Sequence, residues 1–318
     1  MQRRLATTSL LTLPLWPAAA RAQAAGPIKL WVGVTPGGST DTIAREIAPE
    51  MGRLLGRTVI VENLSGAGGN LAADLVAKAA PDGNNLLVSF TSHTINATLY
   101  KKLPYDPVAD FTPLTQLSAS SSVLVVNPEQ PFRTLQELIA YARQRPGRLS
   151  MGLGGIGSSV HLAGEAFKLQ AKLFIVNIPY PGTSPAVADV VAGILPMMFA
   201  PLVNTRGLIQ TGKLRVLGVT SPQRLPQFPD VPALAEVLPG YDVQAWFGLI
   251  GPPRMAPDLV RRISDAARAA VRSDSITKRL ESDAGVAVAS SPEEFAAFVK
   301  ADVPRWEKLV RHSGATPD

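Results

Sequence analysis

Three times the chain drives a short apolar run into a glycine turn and then into a helix, a unit that demands layers of strands and helices. The first unit leads from Leu30-Trp31-Val32-Gly33-Val34 through Thr35-Pro36-Gly37-Gly38-Ser39-Thr40-Asp41 into a helix with Ile43, Ile47, Met51 and Leu54 on one face. The others centre on Gly154-Gly155-Ile156-Gly157-Ser158-Ser159 and Tyr180-Pro181-Gly182-Thr183-Ser184-Pro185. Glycine lets the backbone turn tightly with bare N–H groups, and Ser39 or Thr40 is expected to cap a helix whose start carries roughly half a positive charge. Such a start holds an anion. Three of them point to the binding of carboxylates.

Strand-like runs alternate with helical stripes from end to end, which predicts an α/β fold with mainly parallel strands. Strands are expected near residues 28–34, 58–62, 86–89, 123–126, 149–153, 174–178, 197–200, 214–220 and 244–250. Leu135, Leu138, Ile139 and Ala142 form one core stripe at helical spacing, and Leu162, Ala166 and Leu169 form another. Towards the C-terminus, Leu259, Ile263 and Ala267 share a face, as do Phe295, Val299, Trp306 and Val310. These last helices are expected to pack on the outer lobe, with their charged residues in solvent.

Two segments read as crossings between lobes. Residues 113–126 give extended chain, a small polar link and more extended chain, and residues 240–253 do the same in the other direction. Outer-lobe segments 27–119 and 244–318 would then enclose an inserted lobe at 120–243, a hinge architecture with its ligand in the cleft. In open parallel sheets ligands bind beyond the carboxyl ends of the strands, where the glycine turns lie.

Arg3 and Arg4 precede an uncharged stretch from Leu5 to Ala20 that ends in A-x-A sites, so residues 1–22 read as a signal peptide. Its loss removes Arg3, Arg4 and Arg21 and no acid, lowering the formal charge from +6 to +3. Lys and Arg are dispersed and not interleaved with aromatics, which argues against nucleic acid. With no cysteine, disulfides and thiol chemistry are excluded. The uncharged run 190–205 is cut by Gly193, Pro196 and Pro201 into a helix end, a buried strand and a loop, too short to span a bilayer.

Enzyme signatures are weak. Gly152, Gly154 and Gly157 fit the spacing of a dinucleotide fingerprint, but Asn177 stands where its ribose-binding acid belongs. The three histidines, His93, His161 and His312, are scattered, and no metal or catalytic constellation accompanies them. His161, on the first turn after the second glycine turn, reads as a packed or capping residue near the cleft. Asp41 either holds its loop in shape or meets the ligand. Tyr180 either reaches the ligand or walls the cleft, and Trp246 reads as hinge packing.

Taken in order, Pro36-Gly37-Gly38-Ser39-Thr40-Asp41, Val61-Glu62-Asn63, Gly66-Ala67-Gly68-Gly69-Asn70, residues 77–83, Leu103-Pro104-Tyr105-Asp106-Pro107, His161-Leu162-Ala163-Gly164-Glu165 and Trp246-Phe247-Gly248-Leu249 resemble the Bug (Bordetella uptake gene) family. These are extracytoplasmic solute-binding components of tripartite tricarboxylate transporters. The resemblance implies a two-lobed type II periplasmic binding protein fold, a small carboxylate ligand, a membrane permease as partner and no cofactor. It also implies a ligand site drawn from Pro36, Gly37, Gly38, Ser39, Thr40, Asp41, Ser92, Gly157, Ser158, His161, Tyr180, Gly182 and Thr183. The chain departs from the family pattern at Pro181, where relatives commonly have a lysine, and at Pro196 and Ala200, in a strand region where relatives tend to carry acids. A monomeric periplasmic protein is expected. The rival readings are an exported enzyme acting on an anion and a sensor that presents its closed form to a receptor.

Overall fold

The computed structural model describes residues 26–317, so the signal-peptide reading of 1–22 lies outside the described residues. In the first half, β1 (Ile28–Val32), α1 (Ser39–Leu55), β2 (Val59–Asn63), α2 (Asn70–Ala77), β3 (Asn85–Phe90) and α3 (Ser92–Leu99) lead into the long strand β4 (Thr112–Val126). The middle holds α4 (Leu135–Gln144), β5 (Ser150–Leu153), α5 (Ser159–Ala171), β6 (Val176–Pro179), α6 (Thr183–Val191), β7 (Met197–Pro201), α7 (Arg206–Gln210) and β8 (Arg215–Val219). The chain ends with β9 (Gln244–Gly251), α8 (Pro257–Val271), α9 (Asp274–Ser282), β10 (Gly285–Ala287) and α10 (Pro292–Ser313).

Strand order is β2-β1-β3-β9-β4-β7-β5-β6, with β8 and β10 also paired to β4. β1 runs parallel to β2 and β3, and β5 runs parallel to β6 and β7. The pairings of β9 and β4 are antiparallel throughout, so the expectation of mainly parallel strands is corrected. The reason is topological: the chain crosses between lobes once in each direction, and the two crossings lie side by side.

The polar link expected between residues 113 and 126 does not exist as a separate element. β4 is one strand of 15 residues, roughly 50 Å at ordinary strand rise. Ser121 pairs with Gln244 in the first sheet, and its neighbour Ser122 pairs with Pro201 in the second. Ser118, Ser121 and Ser122 are buried, because small side chains let neighbouring layers close over the handover. The run at 190–205 divides into the end of α6, buried β7 and a loop, and no helix among the described residues is long and apolar enough to cross a membrane.

Helix faces follow the sequence periodicity with one exception. Ile43, Ile47 and Met51 of α1 are fully buried against Leu30, Val32 and Leu86, whereas Leu54 is 42% exposed near the helix end. Ser291 caps α10 in a reciprocal pair with Glu294, and Pro292 occupies the first turn. Contrary to the outer-lobe expectation, α10 serves both lobes. Phe295 and Val299 pack with Trp246, while Trp306 and Val310 join the inserted lobe's core with Leu124, Phe167 and Phe199. Ile95 and Leu99 of α3 enter that same core.

Nor do all charged residues of α10 face solvent. Asp302 is 2% exposed, and its Oδ2 accepts from Thr94 Oγ1 at 2.7 Å and from Trp246 Nε1 and Trp306 Nε1, each at 2.8 Å. One buried oxygen thus joins α3, β9 and α10. Each donor stranded by its loss costs about 1–3 kcal/mol. Asp302→Ala should therefore lower the unfolding free energy by about 3 kcal/mol or more in urea titration, and Asp302→Asn by less. A loss below about 1 kcal/mol would contradict this role.

Candidate ligand-binding site

Parallel strands of both sheets release their chain into the turns singled out by sequence: 33–38 after β1, 154–158 after β5 and 180–182 after β6. Ser92 opens α3 just beyond β3 and is partly exposed. Residues 35–39 are exposed, whereas Thr40 and Asp41 are buried. The expected hydroxyl cap from Ser39 or Thr40 is absent. Gly38 is the N-cap of α1, and no side chain caps the first turn. Gly182 likewise begins α6 with no side-chain cap. Helix-start amides left without a side-chain acceptor are the groups that an anion satisfies.

Asp41 turns inward. Its Oδ2 accepts from the Gly37 N–H and from Arg45 Nε, each at 2.9 Å. Oδ1 accepts from Asn63 Nδ2 and lies 2.9 Å from Arg45 Nη2. The Arg45 guanidinium is the main reason that the Asp41 carboxyl is held at about 2; burial opposes it, and Gly37 and Asn63 assist. Asn63 also donates to the Val34 carbonyl at 3.0 Å, which ties the end of β2 to the turn. The arrangement is a clasp that shapes the loop.

The second turn is also clasped from within. The Ser158 hydroxyl donates to the Gly155 carbonyl at 2.7 Å and accepts from the His161 N–H at 3.3 Å, capping α5. The Gly157 N–H donates to His161 Nδ1 at 3.0 Å, which places the ring proton on Nε2, 3.5 Å from Glu165 Oε1. Burial by itself raises the Glu165 carboxyl, but His161, Lys168 and Asn177 together outweigh it and hold the group at about 2. Asn177, which stands where a dinucleotide site would need an acid, donates to Glu165 at 2.7 Å and accepts from Lys168 at 2.9 Å.

Close packing accounts for the fingerprint glycines. A Cβ at Gly152 would lie 2.7 Å from Leu195 Cδ1, and one at Gly154 would lie 2.7 Å from Thr183 Oγ1. At Gly157, where φ is +72°, it would lie 2.4 Å from Leu99 Cδ2. The 154–158 and 180–183 turns therefore touch each other, and Gly157 meets the end of α3 from the other sheet. In the third turn the Tyr180 hydroxyl donates to Asp189 on α6, so the phenol is engaged within its own lobe.

Among the described residues, no hydrogen bond or ion pair joins Pro36–Asp41 to a residue of the second sheet's lobe. The same residues contain no group of three or more metal-ligating side chains. The 66–70 segment, which carries part of the family resemblance, is not among the expected site residues. A Cβ at Gly33 would lie 2.6 Å from Gly69 Cα, so this turn packs directly on the first one. Asn96 holds it by donating to the Gly68 carbonyl at 3.1 Å and to Asn70 Oδ1 at 2.8 Å. The glycine run 66–69 was the available signal. Trp246, expected as hinge packing, is buried on a crossing strand with its ring N–H on Asp302.

Residues 43–315 match the family model described as "Tripartite tricarboxylate transporter family receptor". Protein BugT of Bordetella pertussis is 32% identical over 94% of this chain and 93% of its own length. Among solved structures, Rpa4515 of R. palustris with adipate is 32% identical, covers 93% of this chain and all of its own, and superposes with a TM-score of 0.80. MatC of Rhodopseudomonas palustris with bound malate is also 32% identical, covers 90% of this chain and 99% of its own, and gives a TM-score of 0.76. The strands handed from sheet to sheet, the turns at their carboxyl ends and these matches lead to one assignment: the chain is a two-lobed solute-binding protein of the tripartite tricarboxylate transporter receptor family, to which the Bug proteins also belong.

Proposed function

We propose that this receptor captures a small carboxylate in the periplasm, between lobes formed by residues 27–119 with 244–318 and by residues 120–243, and delivers it to a transporter permease. The observation that carries the reading is the pair of helix starts at Gly38 and Gly182 without side-chain caps, each beyond the carboxyl end of a parallel strand. Adipate in one relative and malate in another supply the ligand class.

In this reading Pro36, Gly38, Ser39, Thr40, Ser92, Gly182 and Thr183 offer amides, hydroxyls or wall surface to the ligand. Gly37, Asp41, Gly157, Ser158, His161 and Tyr180 hold the turns in shape, since their polar groups are engaged internally. A ligand touching both lobes favours closure because it gains the second set of contacts only in the closed state. The protein acts as a monomer after loss of residues 1–22, and it captures without turning over its ligand.

Isothermal titration of the purified protein with adipate, malate and simple monocarboxylates tests the reading. At least one acid should bind and raise the melting temperature, with about 2.7 kcal/mol of stabilisation at a hundredfold excess over Kd. Silence across all three classes, or conversion of the acid to product, would overturn it.

The Asp41 clasp adds a pH signature. Because the folded carboxyl titrates at about 2, below its ordinary value of 3.8, its stabilisation is full above about pH 4 and fades as pH falls towards 2. Asp41→Asn should thus be less stable than wild type at pH 7 and converge with it in urea unfolding near pH 2. A difference that stays constant with pH would exclude the clasp.

A further inference from the structure

The two lobes meet at one further place, beside the crossing strands. β7 runs parallel to β5, so its end at Pro201 lies on the same sheet edge as the 154–158 turn; Pro201 also pairs with Ser122. Arg206 opens α7 a few residues later. On the other lobe, β10 runs antiparallel to β4, with Gly285 opposite Ser120, and Asp283 stands two residues before it. Arg206 and Asp283 therefore flank the handover at residues 120–122 from the facing edges of the two sheets.

Arg206 Nη2 lies 2.9 Å from Asp283 Oδ1, with the side chains 36% and 23% exposed. Among the described residues it is the one ion pair whose members belong to different lobes. Gln227 reinforces it by donating its amide to the Glu281 carbonyl. A recess of about 320 Å³ beside the pair is lined from both lobes, by Leu202, Phe228 and Ser282 among others.

Behind Asp283 the charges continue. Arg279 Nη2 stands 3.7 Å from Asp283 Oδ2, and its Nη1 lies 2.7 Å from Glu46 Oε1 on α1. That helix begins at the candidate ligand turn. An ion chain thus leads from the inserted lobe to the element that presents Gly38 and Ser39.

We propose that Arg206 and Asp283 form an electrostatic latch beside the hinge that holds the lobes in the arrangement seen here and so sets ligand affinity. The proposal rests on capture between the lobes as read above. Rotation about the crossing strands shifts groups attached to different sheets relative to one another, so the attraction is strongest in the arrangement in which the pair touches. Arg206 is a positioning residue that acts on the ligand through the lobes. For a part-exposed pair the expected effect on affinity is about three- to fivefold.

The absence of cysteine makes a direct test clean. Spin labels at Lys78→Cys on the outer lobe and Gln136→Cys on α4 report lobe separation with no ligand present. Arg206→Ala should move the distance distribution away from that of the parent chain and change adipate affinity about three- to fivefold. Asp283→Ala should do the same, and the double variant should change affinity no more than either single one. High salt should reproduce the shift in the parent chain and leave Arg206→Ala unchanged. Unchanged label distances in Arg206→Ala, or fully additive single variants, would overturn the latch. If no acid binds the parent chain, capture fails as a reading, and the label distances still decide the latch.

Discussion

The Oδ2 atom of Asp302 is where the architecture is tied together. A carboxylate at 2% exposure is tolerable only because hydrogen bonds replace the water it has lost, and here the donors come from three different elements. Thr94 brings in α3, Trp246 brings in crossing strand β9, and Trp306 orients the far half of α10 towards the inserted lobe's core. The helix fixed in this way starts at Ser92, beside a candidate ligand turn, and ends at Leu99 against Gly157. Gly248 permits the approach, since a Cβ there would lie 2.1 Å from Phe295 Cζ. The outer lobe is thereby joined to the hinge and to the opposite lobe through one polar centre.

Much of this architecture was legible because it follows from local chemistry. Alternating burial in β1, the stripes of α4 and α10, and the Ser291–Glu294 cap all follow from periodicity and capping preference. The antiparallel crossings were not legible, since strand direction depends on partners far away in sequence. Nothing local marks Ser118 to Ser122 as strand; their extended form comes from β9 on one side and β10 and β7 on the other. Asp302 was missed for the same reason. On a helical wheel it is an ordinary polar residue, and its three donors come into view only when α3 and β9 are in place.

At the candidate site, sequence located the turns better than it assigned their side chains. Glycine placement, strand ends and helix starts identified 35–41, 154–158 and 180–183. Which hydroxyl caps, or which acid meets a ligand, depends on competition among neighbours. Asp41 is claimed by Arg45, Gly37 and Asn63, and the Ser158 hydroxyl by Gly155 and His161. The fingerprint at Gly152, Gly154 and Gly157 shows the converse: correct spacing arose from tight packing against Leu195, Thr183 and Leu99.

These internal claims organise the charge. Near the turns, the acids Asp41 and Glu165 and the cations Arg45 and Lys168 neutralise one another, so in the proposed capture the turn backbones would meet an anion without a competing fixed charge. Amide dipoles act over short range and in fixed directions, which makes capture depend on geometry more than on net charge. In that regime the arrangement of the lobes governs affinity. A ligand held by amides from one lobe alone gains little, whereas closure brings the second set into reach, and each turn must already be shaped when the lobes meet. The clasps at Asp41 and His161 supply that shape in advance, so in the proposed capture less of the ligand's binding energy would be spent on ordering the loops.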